Sequence, residues 1–245
     1  MFHVRYSTPL VSSPLNCYSP APMSVLKKLK PANLIINNDL LHKAEPGHYA
    51  VNEIFYSLQG EGFLAGTAMV FLRFAECNLR CTVKNAGFDC DTEFVSSREL
   101  NISEIIRQVS LYKAQSEWVL LTGGEPALQV TGELISALKK EGFKLAIETN
   151  GTIALPDGLD WITVSPKSAE HTIRQRAANE VRYVRGHGTA LPESIVRAEH
   201  YFISPVFQPD GSLLREDFDW CVDLIKSSRG RWRLSMQSHK LLGIR

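Results

Sequence analysis

Three cysteines stand within fourteen residues of this chain, Cys77 and Cys81 four apart and Cys90 after eight intervening residues, in the run CNLRCTVKNAGFDCDTEF. Two further cysteines, Cys17 and Cys221, stand alone. A cluster of this kind in a reducing compartment reads as metal binding before it reads as disulfides. Three thiolates suit zinc with one coordination position open, or closed by a ligand from elsewhere. They equally suit a cubic [4Fe–4S] cluster with one iron free to bind something else. The remaining alternative is three incidental cysteines. Asn85, Gly87 and Asp89 make the intervening segment turn-prone, so that three thiols can converge on one small object.

Other segments could do chemistry beside the cysteines. Gly123, Gly124, Glu125 and Pro126 follow an apolar strand, and glycines let a backbone come close to a ligand; alone, the segment is an ordinary strand-to-helix turn. Gln59 in the run LQGEG offers both a donor and an acceptor, and Glu61 an acceptor. Arg73 interrupts the apolar strand FLRF, and a buried guanidinium requires an anionic partner, either a ligand or an internal salt bridge. Lys167 closes the run VSPK and is by itself a surface lysine. Cys221 lies in a helical pattern and reads as a small buried hydrophobe.

These residues need elements to position them. VNEIFYS and AMVFLRF read as strands, the second largely buried. Asn101 caps a helix, with Glu104 completing a capping box. Ile105, Ile106, Val109 and Tyr112 then share one face. EWVLLTG is a short apolar strand. Leu134, Ile135 and Leu138 mark the next helix, with Lys139 and Lys140 in its last turn and Gly142 ending it. KLAIETN, DWITVSP, EVRYVR and HYFISP follow as strands, Glu216 to Ile225 as a helix, and WRLSMQ as a last strand. Alternating strands and helices predict a parallel α/β sheet, open or closed into a barrel. Site residues then gather at the C-terminal ends of the strands, where GGEP, ETNG and SPK fall.

Composition bounds the function. Of 245 residues, 27 are Lys or Arg and 26 Asp or Glu, a net charge of +1, which argues against a broad nucleic-acid-binding or membrane surface. No apolar run approaches the ~20 residues needed to span a bilayer. The first twenty residues lack a continuous apolar stretch of the secretory kind, which predicts a cytoplasmic protein. Residues 1–47, rich in Ser, Pro and Asn, read as a poorly ordered extension, with Met23 an alternative start, and 48–245 as one catalytic domain.

Cysteines followed by a GGEP turn resemble the radical S-adenosylmethionine (SAM) superfamily, with the third cysteine displaced by six residues. More specifically, EIFYSLQGEG, FLRFAECNLRC, CDTEF, LTGGEPALQ, IETNGT, VSPK and the closing QSHKLLGIR resemble, in order, the 7-carboxy-7-deazaguanine synthase family. The resemblance implies an incomplete, TIM-like (β/α) barrel and a homodimer. It implies conversion of 6-carboxy-5,6,7,8-tetrahydropterin to 7-carboxy-7-deazaguanine with loss of ammonia, by a radical ring contraction that feeds queuosine and other 7-deazapurines. It makes Cys77, Cys81 and Cys90 ligands of a [4Fe–4S] cluster whose fourth iron binds SAM, and Thr92, otherwise a turn residue, a ligand of Mg²⁺. Asp89, Asp91, Gly124, Glu125, Ser165, Pro166, Lys167, Ser204 and Pro205 become SAM contacts. Leu58, Gln59, Gly60, Glu61, Arg73, Thr122, His239 and Arg245 become contacts to the pterin, with Arg73 clamping its carboxylate. The electron would come from a donor such as flavodoxin or ferredoxin. The rivals are another radical SAM enzyme, such as a glycyl-radical activase, and a zinc-stabilised module without catalysis.

Overall fold

A computed structural model of the chain describes residues 47–245, so the expected N-terminal extension and Cys17 lie outside the described residues. Nine strands form one sheet in the order β3-β1-β2-β4-β5-β6-β7-β8-β9, with β3 and β9 as its edges. In chain order these are β1 (His48–Leu58), β2 (Ala68–Phe74), β3 (Arg98–Asn101), β4 (Trp118–Gly123), β5 (Lys144–Thr149), β6 (Trp161–Val164), β7 (Ala177–Arg185), β8 (Arg197–Pro205) and β9 (Arg233–Leu234). Every pairing from β2 through β9 is parallel. The sheet is open, an incomplete barrel as expected.

The helices are α1 (Val83–Ala86), α2 (Ile102–Ser110), α3 (Gly132–Lys140), α4 (Arg215–Ser227) and α5 (Ser238–Leu242). Helix α2 begins as its sequence predicts. The Asn101 side chain accepts from the Glu104 N–H at 3.0 Å, and the Glu104 carboxylate accepts from the Asn101 N–H at 2.9 Å. Thr131 caps α3, and Gly142 ends it with φ +86°, a conformation that costs glycine little.

Alternation along the strands sorts side chains onto two faces. The outer face of β1, β2, β4 and β5 packs Val51, Leu72, Phe74, Leu121, Leu145 and Ile147 against Ile105 and Val109 of α2 and Leu134 and Leu138 of α3. Each such side chain stabilises the fold by roughly 1.5–3 kcal/mol relative to exposure. A second cluster joins Val164, Val181, Tyr183 and Ile203 to Cys221 of α4 and to Trp232. Cys221 is fully buried, as expected, and burial pushes its thiol up to about 12.

Three features depart from the sequence reading. Strands β1 and β2 pair antiparallel, because a loop of nine residues joins them and a parallel return needs a longer crossover. Strand β3 is four residues with mostly exposed side chains, too short to show a period, and pairs with His48–Val51. The run WRLSMQ forms only the two-residue β9. No described helix is long and apolar enough to cross a membrane.

Candidate active site

The cysteine segment leaves the C-terminal end of β2. Asn78 is buried there, donating to Thr152 Oγ1 at 2.9 Å and accepting from Asn150 Nδ2 at 3.0 Å. Asn150 and Thr152, just after β5, therefore prop the loop. The Leu79 N–H points at the Cys77 sulfur, 3.4 Å away. The insertion between the second and third cysteines is looped out. It carries α1, whose start is held by Asn85 accepting from the Thr82 N–H at 2.7 Å and by Asp89 accepting from the Val83 N–H at 3.0 Å. The Cys90 N–H then donates to the Cys81 carbonyl at 3.3 Å, which closes the insertion and returns the third cysteine to the second.

All three cysteines line one solvent-open cleft of about 1060 Å³, mouth included. Burial, with smaller contributions from Glu125 and from the other two thiols, pushes Cys77 up to about 12, and burial likewise raises Cys81. Such thiols stay protonated until a metal draws the protons off. Among the described residues no three His, Cys, Asp or Glu side chains sit tightly enough to hold a single metal ion. Three thiols lining one cleft are a donor set that suits iron–sulfur ligation.

The Gly-Gly-Glu turn explains itself locally. A Cβ on Gly123 would lie 2.0 Å from the Phe74 carbonyl, and one on Gly124 1.9 Å from the Glu76 carbonyl and 3.0 Å from the Cys77 Cβ. The glycines thus let β4 exit against the backbone that carries the first cysteine. Glu125, expected among the SAM contacts, is fully buried and outside the cleft lining. It accepts from Thr149 Oγ1 at 2.6 Å, the Asn150 N–H at 2.6 Å and the Ala127 N–H at 3.0 Å. Burial raises its carboxyl above the usual range. These hydrogen bonds tie it to the ETN turn, whose Thr149 and Asn150 line the cleft.

Of the other residues that the resemblance gives to SAM, Gly124, Asp89, Asp91, Ser165, Lys167 and Pro205 line the cleft. Lys167 donates to Ser165 Oγ at 2.6 Å and lies over the Phe88 ring at 5.4 Å. Burial first, and Arg182 second, lower its ammonium below the usual lysine range. Asp91 pairs with Lys240; burial opposes its charge, but Lys240 outweighs it and holds the carboxyl below the usual range. Pro166 and Ser204 are buried outside the lining, and Ser204 Oγ has no hydrogen-bond partner. Thr92, the expected Mg²⁺ ligand, lines the cleft beside Cys90.

The residues expected to hold the pterin fall in two groups. Glu61 and Thr122 line the cleft. Gln59, buried at its edge, donates to Glu148 Oε1 at 3.1 Å and accepts from the Glu61 N–H at 3.1 Å. Leu58 is exposed at the end of β1, outside the lining. Arg73 and Arg245 form the second group, also outside it. Both pair with Glu53, Arg73 at 3.0 Å, and both guanidiniums lie over Phe55. Arg73 thus makes the internal salt bridge that its sequence allowed.

His239 packs on Gly60, where a Cβ would meet its ring at 2.1 Å. It belongs to a C-terminal strap that ties the site together. Ser238 donates through its N–H and hydroxyl to the Gly60 carbonyl at 2.9 and 2.7 Å. Gln237 donates to Glu61 at 2.7 Å, Lys240 pairs with Asp91, and the Arg245 carbonyl accepts from Ser57 at 2.5 Å.

One group escaped the sequence reading. Arg182 of β7, 5% exposed, is salt-bridged through Nε to Glu61 at 2.8 Å, through one terminal nitrogen to Glu148 at 2.7 Å, and through the other to Glu180 at 3.0 Å. Burial opposes the guanidinium's charge, but the three carboxylates raise it above the ordinary arginine value. Arg182 and Glu148 both line the cleft. The available signal was a single charge between the apolar Val181 and Tyr183, the same signal that singled out Arg73.

No family model matches the chain. A 7-carboxy-7-deazaguanine synthase of Bradyrhizobium diazoefficiens is 40% identical over 217 residues, covering 80% of this chain and 99% of that protein. One of Bacteroides thetaiotaomicron is 41% identical, covering 80% and 98%. One of Haemophilus influenzae is 38% identical, covering 83% and 97%. A crystal structure of QueE from Escherichia coli superposes with a TM-score of 0.59 at 23% identity over 78% of this chain and 95% of that one, a likeness of fold. With full-length relatives at this identity, and with its three cysteines converging on one cleft, the chain belongs to the 7-carboxy-7-deazaguanine synthase family.

Proposed function

We propose that the chain converts 6-carboxy-5,6,7,8-tetrahydropterin to 7-carboxy-7-deazaguanine with loss of ammonia, as a radical SAM lyase. The observation that carries this reading is a single cleft lined by Cys77, Cys81 and Cys90 and also by Glu61 and Glu148, in a chain of that family. Cys77, Cys81 and Cys90 hold a [4Fe–4S] cluster, leaving one iron for SAM. When bound, the cluster supplies an electron and SAM the hydrogen-abstracting radical. Gly124, Ser165, Lys167 and Pro205 bound the SAM side of the cleft, with Asp89 and Asp91 on the cluster loop. Pro166 and Ser204 support those strand ends. Thr92 supplies one oxygen to Mg²⁺, which prefers hard oxygen ligands and keeps several waters.

The chain's own part is to grip the pterin and exclude water. Glu61 and Glu148 accept from ring N–H groups, with Gln59 and Thr122 beside them. Arg73 exchanges Glu53 for the substrate carboxylate, and charge-assisted hydrogen bonds of that type are worth roughly 1.5–3 kcal/mol each. Leu58, Gly60, His239 and Arg245 shape that end of the site. A flavodoxin or ferredoxin delivers the electron, and the working form is a homodimer.

The test is anaerobic reconstitution with iron, sulfide, SAM, Mg²⁺ and the carboxy-tetrahydropterin, with the product followed by mass spectrometry. A 7-deazaguanine carboxylate is expected. A brown protein that cleaves SAM and leaves the pterin intact points to a different radical SAM substrate; a colourless protein that binds zinc removes the reading.

A further inference from the structure

Glu61 and Glu148 place two carboxylates beside each other on one cleft. Like charges at short range repel, so such a pair calls for a cation between them. Each comes from a different element: Glu61 from the β1–β2 loop, and Glu148 from β5. Arg182 reaches both at 2.7–2.8 Å, and its remaining terminal nitrogen is taken by Glu180, two residues away on the same strand face. Glu180 is itself 1% exposed and outside the cleft lining. Its other oxygen accepts from the Phe63 N–H at 2.8 Å, so it ties the same loop that carries Gln59 and Glu61. Gly62 passes so close that a Cβ there would lie 2.1 Å from the Glu180 carboxylate. A guanidinium is the one side chain whose planar fork can hold three carboxylates in fixed directions at once.

We propose that Arg182 is the positioning residue of the pterin site. It aims the carboxylates of Glu61 and Glu148 at the donor edge of the substrate ring, while Glu180 holds Arg182 and the loop in register. The inference rests on the proposed function and assigns Arg182 no contact with the reacting atoms. The charged groups around it are Glu61, Glu148, Glu180 and Lys167, the last bonded to Ser165, whose hydroxyl donates to the Arg182 carbonyl.

The test uses the reconstituted enzyme with Arg182→Lys, Arg182→Gln and Glu180→Gln, each compared with the natural chain. Binding of the pterin is read separately from turnover, by anaerobic equilibrium dialysis. Arg182→Lys is expected to weaken pterin binding about tenfold or more, the loss of one charge-assisted hydrogen bond. The KM for SAM should change much less, because the Arg182 side chain bonds to Glu61, Glu148 and Glu180 and to none of the residues assigned to SAM. Arg182→Gln should weaken binding further. It should also move the acid limb of kcat/KM to higher pH, since Glu148 loses the cation that keeps it ionised. Glu180→Gln keeps the volume and leaves Arg182 in place, so it serves if the arginine variants fail to fold; it should weaken pterin binding about threefold by loosening the holder.

Unchanged pterin affinity and an unmoved pH profile in a folded Arg182 variant would overturn the inference. So would equal losses in the pterin and SAM constants, the mark of a merely structural role. If the natural chain itself makes no 7-deazaguanine product, the proposed function fails instead, and the two failures are told apart by that control.

Discussion

On its outer face the sheet meets α2 and α3 through Leu72, Phe74, Leu121 and Ile147, all fully buried and apolar. On its inner face the neighbouring residues of the same strands are Arg73, Thr122 and Glu148, and β7 places Arg182 between Val181 and Tyr183 in the same way. The two sets are interleaved in sequence at a period of two, so stability and chemistry occupy adjacent positions but act in different environments. The outer set is held by area removed from water, which tolerates no loss of volume. The inner set is held by directional ion pairs and hydrogen bonds, which tolerate no loss of geometry.

The sharpest way to separate the faces is Cys81→Ala, which should abolish reductive SAM cleavage while circular dichroism and the denaturation midpoint stay close to those of the natural chain. Retained cleavage would remove Cys81 from the ligand set. The reverse case is Leu121→Ala on the outer face. It should cost about 2–5 kcal/mol of stability by urea denaturation, with the KM values of the folded enzyme unchanged. A large KM change there would mean that the two faces are not separable. Glu125→Gln tests the boundary between them. A loss of about 1–3 kcal/mol in stability is expected, because the buried amide cannot accept all three hydrogen bonds, with the KM for SAM little changed. A selective SAM defect at unaltered stability would restore Glu125 to direct contact. The mildest is Arg73→Lys, which keeps the charge but loses the fork. Pterin KM should rise about tenfold with SAM cleavage intact, and an unchanged KM would show that Arg73 serves only its salt bridge to Glu53.

What could be read from the sequence follows the range of the interaction. The capping pair Asn101 and Glu104, the stop at Gly142 and the burial of Cys221 are local or periodic, and the structure has them as expected. The cysteines, Gly124, Lys167 and Thr92 form motifs whose spacing survives any fold, and they meet in one cleft. The rest depends on partners far along the chain. Nothing near Arg182 indicates that Glu61 and Glu148 will close on it, and nothing in GGEP indicates that the Glu125 side chain will turn toward Thr149. Arg73 shows the converse: its type announced a need for an anion, and only the fold supplied Glu53 as the first one it finds.

The strap from Gln237 to Arg245 bears on how firmly Arg73 is held. Its last residue lies against Ser57 and Glu53, a few residues from the loop of Gln59 and Glu61. Arg245→Ala would withdraw one of the two guanidiniums on Glu53 and leave that carboxylate to Arg73 alone. On the proposed role of Arg73, such a chain would hold its pterin less tightly, because Glu53 would compete undivided for that guanidinium.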